Sequence, residues 1–367
     1  MTLTHGLVES SQKLRAPVLS PVCSAATNVE VDIAPARFYE CTASFADFNL
    51  YQTPAFNIVM GAAQGAQTSN IVVWRGGLPI GACVLRIKTM PVLGWGVAYA
   101  LGGPVWQRPG ATADDLSAVL QAIRTEYGCR RGLSVWLMPR LWAESPAAEL
   151  HQATFDANEF KPRPNHAPAR TLLLDLRPPV DEIRQGLHRS WRRYLLKAER
   201  NGLEVRTDCT DESFAAFLPV YAELKKVKGF HGVDGEAMRR VNAALPESLR
   251  MQVTLCYRNG RLVAGQIASH LGDTALGIIG AANAEGREYH AAYLVWWQRL
   301  LGAKESGCRW YDMGGFDDQA NPSVAQAKLR MGGRVATFLG EFRYEPSPQR
   351  AWFLHKLNNL RRRLRRP

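Results

Sequence analysis

Residues 276–344 read LGIIGAANAEGREYHAAYLVWWQRLLGAKESGCRWYDMGGFDDQANPSVAQAKLRMGGRVATFLGEFRY. An apolar run, an amphipathic stretch, a second apolar run, a glycine pair and a lysine-bearing stretch follow one another, the βαβα order that feeds a single sheet. Leu294, Trp297 and Leu301 recur at helical spacing, which predicts a helix over residues 289–305 that Gly307 stops. Trp310-Tyr311-Asp312-Met313 then reads as a short strand, and Gly314-Gly315 let the chain turn where a side chain would clash. Asp312 is thereby placed at the carboxyl end of a strand, the edge of an open α/β sheet where ligands bind. Lys328 falls on the next helix, within reach of that edge.

Outward from this stretch the same grammar recurs. Residues 71–74 and 80–87 are β-rich runs joined through Arg75-Gly76-Gly77; residues 253–257 and 262–270 flank Arg258-Asn259-Gly260 in the same way. Two such hairpins are the mark of a diverged internal repeat, although hairpins also resemble one another by chance. Residues 113–127 form an amphipathic helix with Thr112 as its cap, 133–138 a buried strand, and 147–158 a further helix. Lys161-Pro162-Arg163-Pro164 breaks the pattern and is the boundary between halves. The expected organisation is a loose lead over 1–29, domains over 30–165 and 166–350, and a basic helix and tail over 351–367.

Composition sets outer limits. The chain has 367 residues, 46% hydrophobic and 21% charged, enough for two ordinary globular domains. Forty-five basic against 33 acidic residues give a net charge of +12, which attracts polyanions such as RNA, nucleotide-linked substrates or an anionic membrane face. Seven scattered cysteines, none spaced as CxxC, speak against a disulfide framework or a zinc site and for a reducing compartment. Lys13 and Arg15 precede a short apolar stretch broken by Pro17 and Pro21, a poor signal peptide, and no run reaches transmembrane length. A cytoplasmic protein is expected.

Residues 181–201 read as one helix with Leu187, Trp191, Tyr194, Leu195 and Ala198 on one side and Arg189, Arg192, Arg193, Lys197 and Arg200 on the other. The basic side is either a solvated face or a phosphate-contacting ridge, since arginine grips phosphate oxygens bidentately. The tail Arg361-Arg362-Arg363-Leu364-Arg365-Arg366 is open to the same two readings. No GxSxG, HExxH or P-loop is present, and the eight histidines form no ligand-spaced pair. No metal or resident cofactor is expected.

The ordered set AAYLVWWQRLLGAKESGCRWYDMGGFDD…AKLRMGGRVATFLGE, with SWRRYLLKAERNGLEV and LYQTPAF…GWGVAYALGGPVW before it, resembles the FemA/FemB/FemX family of peptidyltransferases over roughly residues 51–344. The family's hallmark is a tyrosine-aspartate-aromatic-glycine-glycine turn, a phenylalanine-lysine pair and a second glycine pair. The resemblance implies an α/β fold of two tandem GNAT-like acyltransferase domains, and transfer of an amino acid from aminoacyl-tRNA to an amine, usually on a cell-wall precursor. The absence of a long heptad run points to the armless FemX type. Lys328 matches the family's lysine and would supply positive charge to the developing oxyanion. Asp312 would either orient the acceptor amine or cap the following turn. Tyr311, Gly314, Gly315, Tyr289 and Tyr293 are expected to line the substrate site. Lys228, Phe230 and His231 match a loop beside the acceptor in which arginine is usual at the lysine. Ala327 stands where the family has phenylalanine, which reshapes the acceptor pocket. Residues 281–289 correspond to the phosphate loop of an acyl-CoA enzyme, yet hold one glycine and two glutamates, which repel phosphate. The expected donor is therefore aminoacyl-tRNA. Acyl-CoA or an acyl carrier protein is the alternative, and a non-catalytic RNA- or envelope-binding module is a third possibility.

Overall fold

The structure, a computed structural model, describes residues 26–90, 95–164, 167–229, 232–319 and 322–347. The chain lays down β1 (Thr27–Val31), α1 (Pro35–Thr42), α2 (Pro54–Ala62), β2 (Gln67–Arg75), β3 (Leu78–Thr89), β4 (Gly96–Leu101), α3 (Ala113–Ile123), β5 (Ser134–Met138), α4 (Ala148–Ala157) and the two-residue β6 (Lys161–Pro162). It continues through β7 (Arg170–Asp175), α5 (Val180–Gly186), α6 (Arg189–Arg200), β8 (Leu203–Asp208), α7 (Asp211–Lys228) and α8 (Gly235–Ala244). The hairpin β9 (Gln252–Arg258) and β10 (Arg261–Leu271) follows, then β11 (Thr274–Ala282), α9 (Ala284–Glu288), α10 (Ala291–Glu305), β12 (Trp310–Gly315), α11 (Pro322–Leu329), β13 (Arg334–Thr337) and β14 (Phe342–Tyr344).

Two seven-stranded sheets result, ordered β1-β2-β3-β4-β5-β14-β6 and β8-β9-β10-β11-β12-β7-β13. In each, the fourth and fifth strands run parallel. Their other neighbours are antiparallel. The two hairpins occupy the same second and third positions, and both turns hold the paired positive φ that matches strand twist: Gly76 and Gly77 at 58 and 79°, Asn259 and Gly260 at 49 and 74°. The repeat suspected from the hairpins thus extends to the whole sheet plan.

The sheets also exchange strands. β14, from the end of the described chain, enters the first sheet between β5 and β6, while β7 enters the second between β12 and β13. Lys161 and Pro162, expected only as a breaker, form the edge strand β6, where a proline is tolerated because its missing N–H faces outward. Thr27, Asn28 and Val29, expected in a loose lead, pair with Arg75, Trp74 and Val73. The basic tail lies outside the described residues.

Each sheet carries its own core. Leu116, Val119, Leu120 and Ile123 of α3 pack on Ile71, Val73 and Ile80, all without solvent exposure. Leu294, Trp297 and Leu300 of α10 pack with Trp191 and Leu195 of α6. A third cluster crosses between halves, joining Leu50 and Phe56 to Phe214, Phe217 and Tyr221. Burying each such side chain contributes about 1.5–3 kcal/mol. At a second joint the β10–β11 turn meets the loop before α2: Asp273 N–H donates to Ala46 O at 2.7 Å. Gly272 is required there, because its φ is +63° and a Cβ would stand 2.3 Å from that same carbonyl oxygen.

Two predicted helices divide. Residues 181–201 form α5 and α6 with Leu187 extended between them, and the His188 side chain accepts the N–H of Ser190 to open α6. Residues 289–305 begin at Ala291, after His290 in the left-handed region at φ +59°. Among the described residues no helix is long and apolar enough to cross a membrane.

Candidate active site

The two sheets differ at their parallel seam. In the first, β4 and β5 stay paired from Val97–Ser134 to Leu101–Met138. Gly102 N–H donates to Met138 O at 2.8 Å, and the fully buried Gln52 ties β3 to β4, donating to Leu101 O at 2.8 Å and accepting from Val84 N–H at 2.9 Å. That seam is shut. In the second sheet β11 and β12 pair only from Thr274–Trp310 to Leu276–Asp312, after which β12 departs through Gly314 at φ +76°. Gly314 passes so close to β11 that a Cβ on it would lie 3.1 Å from Gly277 O, so glycine is required. This is the strand end at which the sequence places Asp312 and the glycine pair.

Lys328 closes over this seam from the last turn of α11. It is 8% exposed, and Nζ donates to Gly315 O at 2.8 Å and Gly314 O at 3.1 Å. Burial lowers its pKa below the ordinary lysine value, and the nearby Asp312 carboxylate opposes that shift. Among the described residues two of its three N–H groups are engaged, which leaves one for a ligand.

Asp312 is 1% exposed, with both carboxylate oxygens occupied. Oδ1 accepts from the Thr171 hydroxyl and, at 2.8 Å, from Gly314 N–H, so the carboxylate does cap the turn. Oδ2 accepts from Arg140, which comes from the loop after β5 in the other half. The Arg140 guanidinium also lies 5.6 Å from the Trp142 ring centroid and 5.5 Å from that of Phe338. Tyr51, from the segment before α2, feels both charges: burial raises its phenol pKa, Arg140 lowers it and Asp312 raises it. The site is thus assembled across the domain seam. Arg140 and Thr171 carry no local motif, Tyr51 lies in the LYQTPAF stretch, and none of the three was expected at the site.

The remaining predicted residues fall in three places. Tyr311 is 1% exposed within the α6–α10 core, beside the buried Arg299, and its packing is that of a core residue instead of a cleft wall. Tyr293 and His290 form a half-buried aromatic group with Tyr194, at 5.1 and 4.6 Å between centroids. Tyr289 lies under Arg258, 3.4 Å from guanidinium to centroid. Arg189, Arg192, Arg193 and Lys197 are exposed along α6, and the charges of Arg193 and Lys197 add to burial in lowering the His290 pKa. Lys228 is exposed in the last turn of α7, before Gly229 at φ +62°. Phe230 and His231 lie outside the described residues.

Residues 281–289, where an acyl-CoA enzyme would present its phosphate loop, form the end of β11, α9 and its flanks. Asn283 caps α9 by accepting Gly286 N–H at 2.8 Å, and Glu285 pairs with Arg258 at 3.0 Å. Gly286, the glycine of the segment, is packed against β10, where a Cβ would stand 2.2 Å from Val263 O. Its smallness serves helix-to-strand packing, and the N–H groups of Gly286 and Arg287 are both taken up by Asn283.

Comparison with known proteins bears on the fold. A family model described as an acetyltransferase (GNAT) domain matches residues 182–321. No curated protein matches the sequence. Among solved structures, the crystal structure of FemX is similar with a TM-score of 0.76 at 16% identity, covering 89% of this chain and 99% of that one. A conserved protein of unknown function from Bacteroides thetaiotaomicron is similar with a TM-score of 0.56 at 14% identity, covering 85% and 97%. The chain therefore has a tandem GNAT-like fold in the arrangement seen in FemX.

Proposed function

We propose that the protein is an amide-forming N-aminoacyltransferase that moves an amino acid from aminoacyl-tRNA to an amine acceptor at the β11–β12 seam. The observation that carries this reading is the capped helix α9 in place of a phosphate-cradling loop, flanked by the basic face of α6 and the Tyr194–His290–Tyr293 group. Aromatic rings beside exposed arginines suit unpaired nucleotides at the end of an RNA better than a pantetheine pyrophosphate.

In the reaction the acceptor nitrogen attacks the ester carbonyl carbon, a C–N bond forms, the C–O bond to the ribose breaks, and the proton lost by the amine ends on the released ribose hydroxyl. The ester supplies the driving force, so the protein needs to position the reactants and steady the oxyanion. The free N–H of Lys328 is suited to the second task. Gly314 and Gly315 fix the ammonium through their carbonyls, and the Asp312 carboxylate favours its charged form. A peptidoglycan precursor is one acceptor of the right chemistry, and a nucleotide- or lipid-linked amine is another.

A second reading, N-acyl transfer from acyl-CoA or an acyl carrier protein, draws on the acetyltransferase model matching residues 182–321. The two are separated by donor. Incubation with tRNA, ATP, a synthetase mixture and candidate amines, followed by mass spectrometry, should yield an amide whose formation ribonuclease abolishes. Product formed from acyl-CoA and unaffected by ribonuclease would replace the first reading with the second.

A further inference from the structure

A cavity of about 560 Å³ lies between the two halves of the molecule. Thr274 and Trp310, the first residues of β11 and β12, line it, whereas Lys328 contacts the opposite end of β12. Its ionisable lining is Asp47, Asp273, His151 and Arg140. Arg140 is committed to Asp312. Neither aspartate has a basic partner among the described residues: Asp47 accepts backbone N–H groups of Trp106 and Gln107 at 3.0 Å, and Asp273 accepts the Thr274 hydroxyl at 2.7 Å. His151, also on the wall, is 8% exposed and its Nδ1 has no hydrogen-bond partner. Burial lowers its pKa, so it is neutral at pH 7 and adds no positive charge. Trp106 and Trp142 supply apolar surface.

We propose that this interdomain cavity is a binding site for a small organic ammonium ion, its nitrogen held by Asp47 and Asp273 and its apolar body against the indoles of Trp106 and Trp142. The volume suits an arylalkyl amine, and apolar walls joined by convergent polar groups are the usual form of a small-molecule site. An anion finds no uncommitted cation there. Both aspartates are half-buried, and a ligand ammonium would supply the countercharge that neither finds among the described residues. Burial, with Asp273 nearby, pushes Asp47 up to about 7, so binding an ammonium there releases a proton. Affinity should then rise with pH through that region.

The test is titration calorimetry of the full chain with phenethylamine at pH 8, against 2-phenylethanol as the neutral isostere. Saturable binding of the amine is expected, at least tenfold tighter than the alcohol, and weakened at least tenfold by Asp273→Asn. Ser145→Trp, which fills the cavity from its wall, should abolish it. Lys328→Ala should leave it unchanged, which separates this site from the proposed reaction. Absence of amine binding, equal binding of the alcohol, or undiminished binding by both Asp273→Asn and Ser145→Trp would overturn the assignment.

Discussion

Lys328 combines a buried ammonium with carbonyl partners at 2.8 and 3.1 Å, a geometry that fixes the third N–H in direction. If that N–H steadies the oxyanion, Lys328→Ala should lower amide formation by about 10²–10³. Burial lowers the lysine pKa, so the rate should fall on an alkaline limb below 10.5, and Lys328→Ala should lack that limb. His270 offers a second pH-dependent test. Its Nε2 faces Arg299 Nη2 and its Nδ1 lies 3.0 Å from Ser306 Oγ, contacts that need a neutral ring protonated at Nδ1. Burial and the Arg299 charge push its pKa down to about 3, from an unfolded value near 6.5. Between those values the unfolded chain binds a proton that the folded chain does not, so this group removes stability as pH falls from 6.5 toward 3. Thermal midpoints of wild type and His270→Gln should shift in favour of the variant across that window. Residues close in sequence were legible at this scale: Lys328, Gly314 and Gly315 lie within one strand and the following helix. Arg140 was not, since its partner Asp312 is 172 residues away.

The elements were legible where periodicity or turn chemistry is strong. The hairpins β2–β3 and β9–β10 announce themselves through glycine-bearing turns, and α3 through its stripe and its capping box of Thr112 and Asp115. The exchange of β7 and β14 was not legible, because β6 and β14 span two and three residues and neither can show alternation. The division of α5 from α6 was hidden as well, since Leu187 and Trp191 keep a helical spacing across an extended residue. That division leaves α6 as a twelve-residue helix whose basic residues Arg189, Arg192, Arg193 and Lys197 are exposed. Each phosphate contact contributes about 0.7 to the slope of log affinity against log salt for single-stranded nucleic acid. Arg193→Ala with Lys197→Ala should therefore weaken tRNA binding and reduce that slope by about 1.4, read from filter binding across salt concentrations. An unchanged slope would make the face a solvated one.

The molecule as a whole works as one unit because its halves are joined four ways: by the exchanged strands, by the shared core around Leu50 and Phe217, by Arg140 with Asp312, and by the β10–β11 turn at Ala46. The first two explain why the repeat did not become two independent domains. The third places a charge from the first half at the open seam of the second, with side chains 12% and 2% exposed. Removing one partner of such a pair leaves the other buried and uncompensated, at a cost of about 3–5 kcal/mol, whereas removing both charges costs less. Thr171 and Gly314 still bond Asp312 when Arg140 is gone, which puts Arg140→Met toward the lower end, about 3 kcal/mol in urea unfolding. Asp312→Asn added to Arg140→Met should restore part of that loss, with a coupling between the sites above 0.5 kcal/mol. Additive losses would mean that the pair does not join the halves energetically. Restored stability without restored amide formation would show that the charges of the pair serve the reaction beyond their part in holding the halves together.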